Sequence, residues 1–398
     1  MWVPQSEQDI AAAAAHGLVE SDIFDAKDQL PTNSLDLAID VAAMATGGGV
    51  ILYGVGEDAS GRPTVLRPFS LKGAPERVDQ IIRAGVAEPP YYQLKRIESL
   101  SQPGAGYLAL TVPASERAPH MVVVKGENRY YRRALSGNVP MTEAEIASLY
   151  ARRLLRTEES ARAIAADLSR EVIPANAKFA FMKVVLRPVA SPPDLLTRAA
   201  GSPVALPAVL GAVAHALAWR FPSSLMVNGS VLSANSGDAF RSSSAWRRTP
   251  EGWSAGVLDG SYGQKLELVA RNDGTIVFFS SRIGEVLPSG GSIRIFRELP
   301  PAYLVRICQL AGKLHDLGGY YGSVEGGVRL TGILGSLPHQ ESQMFPGSWS
   351  YPEAAYEKSG RVAAGQLLDD WKGVGRTLLS PFLNAQNQGT YDPFLPDP

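Results

Sequence analysis

The chain has 398 residues, of which 45% are hydrophobic and 19% are charged, and its formal net charge is −1. This balance is typical of a globular protein with more than one core, and it excludes a disordered, collagen-like or strongly basic chain. No window reaches the roughly 20 apolar residues of a membrane span, and the first residues lack a basic, apolar leader, so we expect a cytoplasmic protein without membrane contact.

The first third of the chain alternates short apolar runs with helical patterns. The predicted elements are a helix over 10–18, strands over 20–27 and 50–55, helices over 35–45 and 74–87, and strands over 107–112, 121–124 and 129–133. Asn33 or Ser34 can cap the second helix. Gly47 to Gly49 either belong to a site or simply end that helix and form a turn. A helix over 143–168, begun by a capping box of Thr142 and Glu145, leads out of the first domain.

A second domain is predicted from about residue 172 onward. The predicted elements are a strand over 177–186, a helix over 206–219, an antiparallel meander over 246–253, 264–270 and 274–279, and a helix over 300–317. Trp246, Trp253, Phe278 and Phe279 are expected in a sheet core rather than in a ligand cage. Cys308, the single cysteine, excludes an intrachain disulfide and is expected to be a buried thiol. We predict an α+β fold with domains at 1–150 and 172–398 and a linking helix at 141–171.

Acidic residues and one lysine gather at the ends of the first two strands. Glu20, Asp25 and Lys27 belong to the first strand, and Glu57 and Asp58 follow the second. Such carboxylates can bind Mg²⁺ or Mn²⁺, which activates water for phosphodiester chemistry. Glu20 and Asp25 are an odd number of residues apart, so a shared site requires a bulge or a strand start between them. The alternative is that these side chains are solvated or form structural ion pairs.

Several motifs in the first third occur in a characteristic order: the segment from Glu20 to Lys27, the glycine-rich strand from Gly47 to Asp58, Pro119-His120, and Tyr130 to Arg133. In this order they resemble the Schlafen-type AlbA-2 domain. The resemblance covers roughly residues 18–150. It implies nucleic-acid binding and, in some members, cleavage of transfer or ribosomal RNA by a metal-supported carboxylate triad.

The resemblance assigns roles to the acidic residues. Glu20 and Asp25 match the first two carboxylates, Lys27 matches the lysine, and either Glu57 or Asp58 matches the third carboxylate. All five are therefore candidate catalytic residues, and the four acids are candidate ligands for Mg²⁺ or Mn²⁺. Asp25 stands where the family has a longer glutamate, which shortens that ligand.

Three functions follow as hypotheses. The first is a metal-dependent RNA endonuclease in a bacterial regulatory or defence setting, as the resemblance implies. The second is a non-catalytic DNA- or RNA-binding sensor in which the acidic residues are structural. A nucleotide ligand is the third. Residues 172–398 would then recognise a protein partner or a second copy of the chain, or sense a signal.

Nucleic-acid contact requires basic residues, yet residues 1–150 carry 13 lysines and arginines against 18 aspartates and glutamates. Any contact must therefore be local. The candidate patch consists of Lys125, Arg129, Arg132 and Arg133, with Arg152, Arg153 and Arg156 on the following helix and Tyr130 or Tyr131 for base stacking. The alternative is a solvated strand edge and a helix face paired with Glu143 and Glu145. His120 is either a loop residue or a general base.

Overall fold

The chain forms two compact units, Met1–Arg156 and Thr157–Pro398. The computed structural model describes residues 2–134, 137–170, 179–216, 240, 243–259, 264–286, 291–296, 299–338 and 350–386. Both units combine helices with sheets that are mostly antiparallel, so the predicted α+β class is confirmed. Among the described helices, none has the length and apolar character needed to cross a membrane.

The first unit contains short strands between three helices and the start of a fourth. Its helices are α1 Glu7–Ala15, α2 Ser34–Gly47, α3 Ala74–Gly85 and α4 Glu143–Ser169, the last of which runs through the boundary between the units. Its strands are β1 Phe24–Lys27, β2 Gly49–Tyr53, β3 Val55–Glu57, β4 Pro63–Leu66, β5 Phe69–Ser70, β6 Gln93–Glu98, β7 Ala105–Val112, β8 Met121–Val122, β9 Arg129–Ala134 and β10 Gly137–Pro140. Asn33 caps α2 through its side chain, and Thr142 and Glu145 form the predicted capping box.

A five-stranded sheet forms the centre of this unit. Its order is β1-β2-β7-β5, with β6 also paired to β7, and β1 and β2 run parallel. Val50 and Leu52 of β2 pack with Ile10 of α1 on one face. Ile51 points to the other face, where it packs with Val41 of α2. The apolar run of β2 is therefore buried on both sides, as its continuous pattern predicts.

Helix α2 lies between two sheets. A three-stranded sheet of order β10-β9-β8 contacts the side of α2 that faces away from the central sheet. Tyr131 of β9 packs there against Ala38 and Ala42. The small alanines on this side allow the second sheet to approach the helix closely, whereas larger residues such as Leu37 and Val41 face the central sheet.

The first strand begins later than the sequence predicts. Ser21 and Phe24 form a tight turn in which the Ser21 N–H donates to the Phe24 carbonyl at 2.9 Å, and β1 starts only at Phe24. The predicted strand over 20–27 is therefore wrong in its first four residues. The strand therefore starts between Glu20 and Asp25, which is one of the two conditions that a shared site requires, and the turn directs the Glu20 side chain back toward β1.

The second unit is built on a nine-stranded sheet. Its strands are β11 Phe179–Pro188, β12 Arg247–Thr249, β13 Gly252–Asp259, β14 Gln264–Arg271, β15 Ile276–Val286, β16 Ile293–Ile295, β17 Ser323–Thr331, β18 Leu337–Pro338 and β19 Ala355–Ala363. The main order is β12-β13-β14-β15-β11-β17-β19, all antiparallel. The described helices are α5 Leu195–Ala200, α6 Leu206–Ala216, α7 Leu299–Leu317, α8 Gln366–Asp369 and α9 Trp371–Ala385. The predicted residues 217–219 of the second of these helices lie outside the described residues.

One face of this sheet carries the main core. Phe278 packs there against Tyr303 of α7, with ring centroids 4.8 Å apart, and Trp246 belongs to the same core. Cys308 is buried as predicted, and desolvation raises its pKa to about 12. Phe279 does not share this core, because successive strand residues alternate; it lies on the opposite face.

Candidate functional site

The candidate residues of β1 lie at the edge of the central sheet. Asp25 and Lys27 face the side that α2 covers, because the residues that alternate with them pack on the opposite face with α1. Asp40 of α2 and Arg133 of β9 reach the same place. We call Asp25, Lys27, Asp40 and Arg133 the Asp25 cluster.

Two cations neutralise Asp25. The Arg133 Nη2 lies 2.9 Å from Asp25 Oδ1, and the Lys27 Nζ lies 3.2 Å from Oδ2. The Asp25 side chain is 2% exposed and that of Arg133 is 8% exposed, so this is a buried ion pair. Burying charges is tolerated only when they are paired in this way. The carboxylate oxygens of Asp25 are therefore already committed to the protein's own cations.

Asp40 completes the cluster from the helix side. The Asn138 Nδ2 donates to Asp40 Oδ1 at 2.6 Å, while Lys27 Nζ lies 4.0 Å from Oδ2. Desolvation is the largest effect on Asp40 and raises its pKa to about 6, although Lys27 acts in the opposite direction. Burial disfavours the charge of Lys27, but Asp40 and Asp25 outweigh it and raise the pKa of the lysine. The half-exposed Lys27 thus joins two buried carboxylates.

Glu20 protects the open edge of β1. Its Oε1 accepts a hydrogen bond from the Ala26 N–H at 3.2 Å. Because β2 pairs with the other side of β1, this contact occupies a backbone donor that an edge strand would otherwise expose. Burial raises the pKa of Glu20, and the nearby charge of Asp25 adds to the effect. Glu20 and Asp25 are therefore neighbours, as predicted.

The third predicted carboxylate does not join them. Asp58 organises the turn between β3 and β4: its Oδ1 accepts from the Ser60 N–H at 2.8 Å and the Arg62 N–H at 3.1 Å, and its Oδ2 accepts from the Thr64 hydroxyl at 2.9 Å. The Ser60 hydroxyl is the largest of several hydrogen bonds that lower the pKa of Asp58. Glu57 is exposed at the end of β3.

The donor set does not fit a divalent metal. Within the part of the chain that the structure describes, no three His, Cys, Asp or Glu side chains come close enough to hold one. Mg²⁺ and Mn²⁺ need oxygens that are available to the ion. Asp25 instead contacts Lys27 and Arg133, and Asp58 accepts hydrogen bonds from the turn between β3 and β4. The predicted group of three carboxylates is thus not formed by these residues.

Most of the predicted basic patch is engaged in structural contacts. Arg133 is buried in the Asp25 cluster, and the Arg132 Nε donates to Glu145 Oε1 at 2.6 Å. Lys125 donates to Asn33 Oδ1 at 3.0 Å. These contacts favour the alternative of paired charges for Arg132 and Arg133, whereas Lys125 contacts a neutral amide.

The other four predicted cations differ in accessibility, and the Arg153 side chain, which is 31% exposed, is less accessible than that of Arg132 at 42%. The Arg129 Nε lies 3.6 Å from Glu127 Oε1, and 65% of the Arg129 side chain is exposed. Arg152 is exposed, and Arg156 is half-buried. Arg153 places its Nη2 3.0 Å from Glu88.

The two adjacent tyrosines of β9 differ. Tyr131 is 7% exposed, and its hydroxyl donates to Glu127 Oε1 at 2.5 Å, so it offers no face for stacking. Tyr130 points the other way and shares a hydrogen bond of 3.0 Å with the hydroxyl of Tyr150 on α4. Their rings meet edge to face with centroids 6.2 Å apart, and Tyr150 is 43% exposed. Of the two predicted stacking residues, only Tyr130 is accessible.

One arginine neighbours this tyrosine pair, and the backbone of a second arginine, Arg117, contacts the first, while the Arg117 guanidinium donates to the Pro89 carbonyl oxygen at 3.1 Å. Arg153 follows Tyr150 by three residues on α4 and therefore shares its helix face. The Arg153 Nη1 donates to the carbonyl oxygen of the exposed Arg117 at 3.2 Å. We call Arg117, Tyr130, Tyr150 and Arg153 the Tyr130 surface. The sequence analysis missed Tyr150 and Arg117, because nothing local indicates that they meet β9.

His120 lies next to these residues but is buried. Its Nδ1 contacts the Glu88 carbonyl oxygen at 2.7 Å, and desolvation lowers its pKa to about 4. The imidazole is therefore neutral near pH 7, and its fixed contact fits the prediction of a structural loop residue.

Comparison of the sequence with models of known protein families finds no match, and comparison with curated proteins finds none either.

Proposed function

We propose that the first unit binds single-stranded nucleic acid through the Tyr130 surface and does not cleave it. The observation that carries this proposal is the tyrosine pair, with Tyr130 half-buried and Tyr150 exposed, next to Arg153 and its neighbour Arg117. Aromatic rings stack on bases of any sequence, and arginines attract the phosphates between them. The resemblance of residues 18–150 to the AlbA-2 domain supports the same function.

The geometry of the pair suits stacking. An edge-to-face contact leaves part of each ring face uncovered, and the angle between the Tyr130 and Tyr150 rings is 88°. A flexible strand can bring a base against such a face, whereas a base inside a duplex is already stacked. We therefore expect a preference for single strands over duplexes.

The Asp25 cluster has a supporting role in this proposal. Arg133 lies on β9 three residues after Tyr130, and its ion pair with Asp25 joins β9 to β1. Asp40 and Asn138 similarly join α2 to β10. The acidic residues thus hold the strand that presents Tyr130, which supports binding rather than hydrolysis.

Binding is tested by fluorescence anisotropy with the full chain and labelled single-stranded RNA, single-stranded DNA and duplex. The double variant Tyr130→Leu, Tyr150→Leu should bind single strands about tenfold more weakly or worse, because each stacked base contributes about 1 to 3 kcal/mol. The double variant Arg117→Ala, Arg153→Ala should lower the dependence of log K on log salt by about one unit per arginine.

Arg62 provides the matched control. Its side chain is 63% exposed and also lies near an acid, with Nε 4.0 Å from Asp58 Oδ2. It precedes β4, which contacts α1 on the sheet face opposite α2. Arg62→Ala should bind as the unchanged protein does. Absence of binding at low salt, or equal loss in Arg62→Ala, would contradict the proposal.

The cleavage with Mg²⁺ or Mn²⁺ that the resemblance implies is untested, and this proposal replaces it with binding alone. A cytoplasmic location, a role in regulation or defence, and a protein partner or second copy bound by residues 172–398 stay predictions.

A further inference from the structure

The main sheet of the second unit has a long strand at one edge. Among the described strands, β19 is the last in the order β12-β13-β14-β15-β11-β17-β19, and it pairs with β17 along all nine of its residues. The strand at the other end, β12, has only three residues. A short edge strand offers few backbone groups to another chain, whereas a long one can accept a further strand. The edge to consider for an interaction is therefore β19.

Backbone hydrogen bonds show which residues of β19 point away from β17. The Ala364 N–H, immediately after the strand, donates to the Gly322 carbonyl oxygen at 2.8 Å. The Ala363 N–H instead donates to the side-chain Oε1 of Gln366 at 2.8 Å, outside the ladder. In an antiparallel pair, residues that bond to the partner strand alternate with residues whose N–H and C=O point outward. The odd-numbered residues of β19 therefore point outward.

The middle of this outward edge is open. Glu357, Ser359 and Arg361 are all exposed, and within the described part of the chain their N–H groups have no hydrogen-bond acceptor. Gln366 occupies an outward donor only at the end of β19, whereas Glu20 occupies one in the edge strand of the first unit. The central part of β19 thus keeps donors and acceptors for another strand.

The side chains of β19 are complementary to themselves when the strand is reversed. Two copies that meet antiparallel around a two-fold axis at Ser359 would place each residue opposite the one equally far on the other side. Glu357 would then face Arg361, and Lys358 would face Gly360. The remaining opposed pairs are apolar: Tyr356 with Val362, and Ala355 with Ala363. In this register no two like charges face each other.

The neighbouring registers lack this complementarity. An axis at Glu357, at Lys358 or at Arg361 would place two like charges directly opposite each other, which destabilises a sheet. An axis at Gly360 would leave Glu357 opposite an alanine. The register about Ser359 is therefore the one that the charges favour.

Ion pairs within the sheet lead up to the same edge. The Arg329 Nη1 lies 3.0 Å from Glu357 Oε2, and the Arg361 Nε lies 2.9 Å from Glu325 Oε2. In the register about Ser359, the second copy would add a neighbour of opposite sign to Glu357 and to Arg361, so the charges would alternate across the junction. Charges on an edge strand usually oppose pairing with other chains. Here their order favours a second copy of the same chain.

We propose that two copies of the chain associate through β19, antiparallel and centred on Ser359, so that their sheets form one continuous sheet. The outward N–H and C=O groups of Glu357, Ser359 and Arg361 exchange hydrogen bonds across the junction. A single pair of strands is a small interface, so we expect a dissociation constant on the order of 1 to 100 µM. This association does not use the Tyr130 surface and is independent of the proposed function.

Sedimentation velocity of the full chain, at concentrations from about 1 to 300 µM, measures this association. Glu357→Arg and Arg361→Glu should each weaken the dimer about tenfold, because each places like charges opposite each other twice. An equimolar mixture of the two variants should regain the dimer, since the introduced charge of each then faces its opposite in the other chain. The altered contacts with Arg329 and Glu325 persist in the mixture, so recovery reports on the junction alone.

Cysteine substitution locates the axis. In Ser359→Cys the two Cα atoms would lie about 5.5 Å apart, within the range of a disulfide, and the native Cys308 is buried and does not compete. Oxidised glutathione should therefore give a covalent dimer in non-reducing electrophoresis. Lys358→Cys is the matched control, because this neighbour is also exposed. Its two Cα atoms would lie about 7 to 8 Å apart, so the covalent dimer should form at least about tenfold more slowly.

A thermal melt of each variant reports whether it folds. A chain that is monomeric at every concentration overturns the proposal, as does a dimer that both folded charge variants leave unchanged or that their mixture does not restore. If a charge variant does not fold, the cysteine variants decide. Equal rates of cross-linking in Ser359→Cys and Lys358→Cys would overturn the register about Ser359 and with it the proposal.

Discussion

Each unit contains a group of acidic and basic side chains at similar distances, but the two groups differ in burial. In the Asp25 cluster the Arg133 to Asp25 contact is 2.9 Å, with side chains 8% and 2% exposed. In the second unit Arg271 contacts Asp167 at 2.6 Å, but the same network reaches Glu251 and Arg170, whose side chains are 51% and 64% exposed. The first group joins elements of the fold and exposes only part of Lys27, whereas the second extends from a largely buried Arg271–Asp167 pair to exposed side chains beside a pocket.

This difference matters because the cost of an unpaired charge depends on its surroundings. Removal of one partner from a buried pair leaves a charge that water cannot solvate, whereas an exposed pair contributes little. The same residue types therefore act as framework in one place and lie beside an open pocket in the other. Geometry alone, without burial, would not separate these two roles.

The largest expected effect is on the closed cluster. Arg133→Met should lower the free energy of unfolding by about 3 to 5 kcal/mol, because Asp25 stays buried with only Lys27 beside it. Urea denaturation of the full chain measures this. Arg62→Met is the control, and its exposed pair should cost less than about 0.5 kcal/mol. A loss below about 1 kcal/mol for Arg133→Met would show that the cluster does not hold the fold together.

Asp40 should make stability depend on pH. Its pKa is raised from 3.8 to about 6 in the folded protein, so the folded state holds a proton that the unfolded chain releases. This contribution is fully present below about pH 4 and is lost as pH rises through about 6. The amide side chain in the Asp40→Asn variant carries no charge at any of these pH values.

The free energy of unfolding of Asp40→Asn, relative to the unchanged protein, should therefore rise by about 2 kcal/mol between about pH 4 and pH 7. Denaturant titrations at both pH values provide the comparison, and other titrating groups cancel in the difference. A difference that is constant with pH would mean that Asp40 titrates normally despite its burial.

Glu20 should act as a cover for the strand edge. Glu20→Ala removes the acceptor of the Ala26 N–H and should destabilise the protein by about 1 kcal/mol. Glu20→Gln keeps an acceptor oxygen and should cost less than about 0.5 kcal/mol. If Gln and Ala variants were equally destabilised, the charge of Glu20, rather than its hydrogen bond, would be the important feature.

The smallest effect is expected at the open network. Arg170→Gln should change the free energy of unfolding by less than about 0.5 kcal/mol, because the arginine is exposed and Glu251 retains its ion pair with Arg271. The midpoint of urea denaturation measures it. A loss comparable to that of Arg133→Met would remove the distinction between the two groups.

The sequence predicted the elements well where the signal is local. The described parts of the predicted helices and of the meander follow from apolar spacing, and the capping box of Thr142 and Glu145 follows from four residues. The turn at Ser21 was not predicted, although Glu20, Ser21 and Asp22 form a polar stretch that interrupts the apolar pattern of a strand. The odd spacing of Glu20 and Asp25 showed only that a bulge or a strand start would have to lie between them if the two were to share a site.

Contacts between distant elements could not be predicted. Asp40 lies on an apolar helix face, a signal of a paired buried charge, but its partner Asn138 is far along the chain. Alternation in β9 separates Tyr130 from Tyr131, yet only packing on α2 decides which is buried. The same applies to Phe279, whose side of the sheet depends on where α7 packs.

The most direct test of the account measures binding of labelled single-stranded RNA in excess EDTA and in Mn²⁺, followed by electrophoresis of the recovered RNA. Because Asp25 is neutralised by Lys27 and Arg133, the account predicts the same affinity in both conditions and RNA of unchanged length. Binding that requires Mn²⁺, or RNA that is shortened in Mn²⁺ but intact with Asp25→Asn, would contradict it.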